Sequence, residues 1–197
     1  MLTAFTSFTI VPTYPGLPTV FSLPGQHLLK RGSLLTTLPT LSQDWRISFQ
    51  FNPFNFTSSG NGYTSLLHLT SGGKWGNFGD STPSIFFHPT FGMQVVSAIN
   101  GNHDFKYKTN LKLSIPVSQW STISVSQESL GGVVIFSIVV NGVEAFAIEN
   151  TQPKEFKSVK VFASAPWDKA QPGLIRALTI QTNSEKPGEI RYQIRTQ

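Results

Sequence analysis

The chain predicts an all-β fold, and three observations carry the prediction. Strand-like runs bounded by turn residues recur at a spacing of roughly 8 to 14 residues, which a sandwich or barrel produces. Sixteen Gly, thirteen Pro and sixteen Phe against 13% charged residues describe many short strands and many turns. No segment keeps a 3.6-residue apolar period over three turns, so little helix is expected.

The runs are taken in chain order. "SFTIV" comes first, and the Pro-rich "VPTYPGLPTVFSLPG" holds enough Phe, Val and Leu to pack as irregular edge structure. "HLLKRGSLLTTL" follows. "WRISFQF" alternates Trp45, Ile47, Phe49 and Phe51 against Arg46, Ser48 and Gln50, so one face is buried and the other wet. "SLLHLT", "SIFFHP", "GMQVVSAI", "FKYKT" and "LKLSI" read as further strands. "WSTISVSQ" places Trp120, Ile123 and Val125 inside after a local offset, with Ser124 and Ser126 outside. "VVIFSIVV" is apolar at nearly every position, which predicts a central strand or one covered on both faces. "EAFAIE", "VKVFAS", "GLIRALTIQ" and "IRYQIRT" complete the series.

Two turns have clear mechanisms. Asn141-Gly142 is a strong hairpin signal, because both residues tolerate positive φ. Leu130-Gly131-Gly132 closes the hairpin before it.

With 197 residues and 39% hydrophobic content, the chain is expected to fold as a single β-sandwich domain over 1–197. Residues 1–25 are expected as irregular or edge structure and 183–197 as a terminal strand or tail. The net charge of +5 and pI near 9.6 come from bases spread thinly along the chain. No basic block tracks a phosphate backbone, so nucleic acid is not an expected partner. The absence of cysteine removes disulfides, thiolate nucleophiles and the common zinc arrangements. No run of about 18 apolar residues occurs, so no membrane insertion is expected. The start "MLTAFTSFTIVPTYPGLP" lacks the basic and apolar regions of a signal peptide. "NFT" at Asn55 matches a glycosylation acceptor.

From about residue 40 to 182 a further pattern emerges: "LSQDWRISFQFNP", "YTSLLHLTSGG", "TPSIFFHPTFGMQVVSAING", "LKLSIPVSQWSTISVSQ", "GVVIFSIVVNGVEAFAIEN", "VKVFASAPW" and "PGLIRALTIQ". This order resembles the concanavalin A-like lectin and glucanase superfamily, and within it the laminin G-like β-sandwich domains. The resemblance implies a two-sheet antiparallel jelly-roll sandwich, with Trp120 as the core tryptophan and "VNG" as a back-sheet hairpin. "FQFNPFNF" and "GKWGNFGD" are also similar to the sugar-binding motifs of galectins. There Asn52 and Trp75 match, whereas Gln50, Phe54 and Phe78 stand where that family has His, Arg and Glu.

On such a fold, function lies in loops or on a sheet face. In "SGGKWGNFGDSTP", residues 71–83, Trp75 offers a platform for a sugar's apolar face, and Asn77 and Asp80 offer directional donors and acceptors. "INGNHDFKY", residues 99–107, adds Asn100, His103 and Asp104. The laminin G-like resemblance implies calcium at this loop, with Asp104 as the metal ligand. The Pro-bounded "SAPWDKAQPG" adds Trp167 beside Asp168, able to line the same rim as Trp75 or to plug the end of the sandwich.

Enzyme readings lack their residues. Glycosidases need a pair of positioned carboxylates, and the ten acids never form an "ExDxxE" or similar pair. His27, His68, His88 and His103 show no metal-ligand spacing, no "GxSxG" occurs, and His68 and His88 read as satisfied strand histidines. The expectation is therefore a non-catalytic carbohydrate-binding module for recognition or adhesion outside the cell, with a glycan or glycoprotein as partner. The alternative is a protein-interaction or self-assembling structural module on the same fold, partnered by an extracellular protein or by its own copies.

Overall fold

A computed structural model describes residues 16–57, 60, 62–74, 76–109 and 115–183. The described residues form strands β1 (Thr19–Ser22), β2 (Gln26–Leu28), β3 (Ser33–Leu41), β4 (Trp45–Pro53), β5 (Thr64–Thr70), β6 (Ser84–His88) and β7 (Gly92–Ile99). They continue with β8 (Asn102–Lys108), β9 (Ser121–Leu130), β10 (Val133–Val140), β11 (Val143–Glu149), β12 (Phe156–Ala163) and β13 (Gly173–Thr182). Among the described residues there is no helix. The runs "SFTIV" and "IRYQIRT", and all but the last residue of "LKLSI", lie outside them.

The strands build two antiparallel sheets. A seven-stranded sheet runs β1-β13-β4-β9-β10-β11, with β2 also paired to β13, and a six-stranded sheet runs β3-β12-β5-β6-β7-β8. Alternation makes the sandwich: Ile47, Phe49 and Phe51 of β4 are buried against the second sheet, while Arg46 is exposed and Ser48 and Gln50 are half-buried on the outer face. Aromatic rings join the layers. Phe51 meets Phe87 at 5.2 Å, and Tyr107 of β8 stacks on Phe146 of β11 at 4.3 Å while its hydroxyl donates to Ala145 O at 2.6 Å. At one end, Asn150 donates to Gln127 Oε1 and accepts from the Asn100 backbone, tying the β11–β12 and β7–β8 connections together.

The opening hairpins form as expected. Gly131 and Gly132 both have positive φ between β9 and β10, and Asn141 and Gly142 do the same between β10 and β11. The Asn141 side chain also accepts from the Thr122 backbone at 2.8 Å, which locks β9 to the turn.

Two expectations are corrected. Trp120 is not the core tryptophan. It precedes β9, lies half-buried outside the core cluster, and its ring carries the Arg176 guanidinium at 4.0 Å. The β4–β9 register, continued one residue past Phe51↔Ser121, sets Trp120 opposite Asn52, and so on the outer face. The core tryptophan is Trp45, 1% exposed and edge-on to Phe136 at 6.2 Å. Strand β10 is second from the edge rather than central. Phe136, Ile138 and Val140 face the core, whereas Ile135, Ser137 and Val139 are half-exposed.

Trp45→Ala should therefore cost roughly 3–5 kcal/mol in urea unfolding, the toll of a large core cavity. Trp120→Ala should cost about 1 kcal/mol, the scale of a partly exposed cation–π contact. Equal losses would mean that the parity assigned to Trp120 is wrong.

Candidate functional site

The loop after β5 and the loop between β12 and β13 meet on the outer face of the six-stranded sheet. The first is shaped from within. Asp80 is buried and accepts from the Gly73 backbone at 2.7 Å, the Asn77 backbone at 2.9 Å and Asn77 Nδ2 at 3.3 Å. Gly79 sits at φ 91° where a Cβ would collide with Ser71 Oγ and the Phe156 ring, so the loop can turn there only on glycine. The second loop is tied down at Ser164, whose backbone donates to Leu66 O, and at Gln171, which bonds Thr64 Oγ1.

Trp167, half-buried, packs edge-on to His68 at 5.4 Å and to Phe162 at 6.5 Å. Val159 and Val161 point into the core, and Phe162, after the local bulge, stands opposite His68, so Trp167 lies over the outer face. His68 is fully buried, with Nδ1 on Ser84 Oγ at 2.6 Å. Burial pushes its pKa down to about 4, partly countered by the backbone and carboxylate of Asp80.

Asp168 follows Trp167 with its side chain 9% exposed. Its Oδ1 lies 3.9 Å from Lys74 Nζ. Burial raises its pKa, with Lys74 and Arg31 pulling the other way. Arg31 itself donates to Pro166 O at 2.7 Å, bracing this loop. Three buried atoms here have no hydrogen-bond partner of good geometry among the described residues: Asp168 Oδ2, His68 Nε2 and Ser164 Oγ. His68 and Ser164 are fully buried, whereas the Asp168 side chain keeps some exposure beside Trp167, so its carboxylate is the group of the three that a ligand rich in hydroxyl groups can approach.

The sequence-predicted residues divide. Trp75 lies outside the described residues. Asn77 is exposed and joined to Asp80, and both belong to the loop that brings Lys74 to Asp168. Asp80 spends its carboxylate on that loop's own backbone. Phe78 carries the loop to His103, edge-on at 5.9 Å. Asn100 braces the β7–β8 turn at φ 51°, accepting from Thr151 and donating to Glu149 O. Asp104 pairs with Lys106 and takes no part in the Trp167 rim. Calcium wants six to eight oxygens, and no group of three or more His, Asp or Glu that could hold a metal occurs among the described residues. Of the galectin-like pair, Asn52 is on β4 of the seven-stranded sheet. His68 and Lys74 were missed. A histidine inside the apolar run "SLLHLT" was the available signal, since a buried imidazole needs two partners and a strand interior offers few.

No family model matches the chain, and no curated protein does. Solved structures do. A heptameric SAP-like pentraxin from Limulus polyphemus matches at TM-score 0.51 and 13% identity over 84% of this chain and 73% of that one. The CBM40 of the Ruminococcus gnavus IT-sialidase, bound to alpha2,3 sialyllactose, matches at TM-score 0.53 and 13% identity over 83% of this chain and 92% of that one. The fold is a concanavalin A-like jelly-roll sandwich. A K499G mutant of NanB sialidase from Streptococcus pneumoniae also matches at TM-score 0.53 and 12% identity, over 80% of this chain but 27% of that one. At these identities the likeness speaks for the fold alone.

His68 makes stability pH-dependent. Its folded pKa lies below its unfolded value of 6.5, so its contribution is present above pH 6.5 and is lost as pH falls toward about 4. The loss should approach about 3 kcal/mol, and His68→Phe should flatten this limb of the stability–pH curve. A curve unchanged by the substitution would refute the assignment.

Proposed function

We propose that the chain is a non-catalytic carbohydrate-binding module, seating a glycan where Trp167 and Asp168 meet the 71–83 loop. The observation that carries the reading is the Asp168 carboxylate: buried, without a donor on Oδ2, and too far from Lys74 for a direct hydrogen bond. A sugar hydroxyl supplies the missing donor and can accept from the Lys74 ammonium, with the Trp167 ring beside it to take a C–H face. The jelly-roll fold supports the reading, being shared with a module that holds sialyllactose. Recognition or adhesion outside the cell, with a glycan or glycoprotein partner, belongs to the same proposal.

The test is a glycan array with wild type, Trp167→Ala and Asp168→Asn, in calcium and in chelator. Wild type should bind a defined sugar class, and either substitution should weaken it at least about tenfold, the scale of a lost charge-assisted hydrogen bond. Asp168 separates binding from folding. Its raised folded pKa gives stability that is present below the unfolded carboxyl value and lost as pH rises through the folded one. Asp168→Asn should therefore match or exceed wild-type stability at neutral pH while losing the sugar. A blank array with folded protein would favour the protein-interaction reading, and loss in chelator would return Asp104 to consideration as a metal ligand.

A further inference from the structure

We propose that the edge strand β8 of the six-stranded sheet, with the loops at its two ends, binds an acidic polysaccharide. The carbohydrate-binding reading supplies the ligand class, and the proposal rests on it for that element alone; the surface is a different one from the Trp167 rim.

Charge is sorted between the sheets among the described residues. Lys106, Lys108, Lys157 and Lys160 stand on strands of the six-stranded sheet, and Lys30, Arg31, Lys74, Lys154 and Lys169 on the loops that border it. The acids on that side are fewer: Asp80 is buried, Asp168 is half-buried near Lys74, and Asp104 and Glu155 pair with Lys106 and Lys157, which leaves the bases in excess. The seven-stranded sheet and its loops carry Arg46 and Arg176 against Asp44, Glu128, Glu144 and Glu149. One side of the sandwich is therefore basic and the other acidic, a field that steers polyanions to the first.

Strand β8 is an accessible edge of the basic side, and the one flanked by exposed aromatic rings. Farther in, Ser84, Phe86 and Val96 are fully buried although they lie outside the core cluster. On β8, Phe105 and Tyr107 stack inward on Phe146, so Lys106 and Lys108 point outward, and both are exposed. At one end, Lys108 Nζ lies 5.2 Å from the centroid of Phe91, an exposed ring stacked on His88 at 4.4 Å. At the other, Lys154 Nζ lies 3.7 Å from the centroid of Phe78, an exposed ring that meets His103. The same trio of ammonium, open phenyl ring and imidazole thus occurs twice. His103 and Lys108 are both on β8, five residues apart, a span of about 17 Å.

Each trio suits an acidic sugar: the ammonium swings from the ring to the carboxylate or sulfate, and the phenyl face it leaves takes a C–H face. Between the trios, Lys106 is held by the half-exposed Asp104, an ion pair weak enough for a ligand anion to replace. A nucleic acid fits less well. Binders of single strands set aromatic rings under successive bases, whereas these rings stand apart, and β8 presents lysines without the arginine fork that grips phosphate.

The experiment measures binding of the purified protein to heparin, polygalacturonate, neutral dextran and single-stranded DNA at low and raised salt. Wild type should bind heparin or polygalacturonate and not dextran, with affinity falling as salt rises, and the ratio of the two tells sulfate from carboxylate. Lys108→Glu and Lys154→Glu should each weaken that binding about tenfold. Phe91→Ala should weaken it without a charge change, whereas Arg46→Glu, equal in charge change, should leave it alone. Trp167→Ala should also leave it alone, so a blank neutral array with intact polyanion binding would sink the rim and spare the edge. No binding at low salt, equal losses in Arg46→Glu, or DNA bound as tightly as either polysaccharide would overturn the proposal.

Discussion

The aromatic contacts between the two sheets are the constraint on which the rest of the molecule depends. Phe51 against Phe87, and Tyr107 with Phe105 against Phe146, fix which alternate residues of β4, β6, β8 and β11 point inward. With a side-chain period of two, that choice fixes every outward residue as well, and a one-residue slip would exchange the two sets. His68 opposite Phe162, Trp120 opposite Asn52, and Lys106 and Lys108 in the open all follow from this parity. The hydrophobic core does more here than hold the fold together; it selects the chemistry presented at each surface.

The Trp167 rim shows what such selection costs. An imidazole driven toward neutrality and a carboxylate driven toward protonation are both expensive to bury, and neither has its hydrogen bonds complete. Stability alone favours apolar replacements at such places. The loops around them are held with care: the Asp80 bonds to the backbone, the obligatory Gly79, and the Arg31 brace on Pro166. Rigid loops around polar groups with unused capacity are what preorganised recognition needs, since little ordering remains to be done on binding.

Much of the fold was legible before any coordinates. The alternation in "WRISFQF" set the buried face of β4, and Asn141-Gly142 and Gly131-Gly132 set the β9–β10–β11 hairpins, because these signals act within a few residues. Trp120 was misassigned, since a tryptophan at the start of an alternating strand reads as core unless the register with β4 is known. The apolar run of β10 misled in the same way: it tells that a strand is hydrophobic and not how far it lies from the edge of its sheet. Trp167 was legible as a candidate from its Pro-bounded loop. The burial of His68 beneath it was not, because the two residues stand ninety-nine positions apart.

The sequence by itself determined the class of the protein: all-β, turn-rich, without cysteine, its strands placed by local alternation and its hairpins by residues that accept positive φ. Those are short-range properties, and a single chain displays them openly. Only the tertiary structure decided where the charge goes. Lys106, Lys108, Lys157 and Lys160, thinly scattered along the chain, fall on one sheet because antiparallel pairing puts β8 and β12 in it and sends the acids of β9–β11 to the other layer. A basic surface made in this way has no sequence motif. It is a product of sheet order and parity, both of which are set by contacts between residues far apart in the chain.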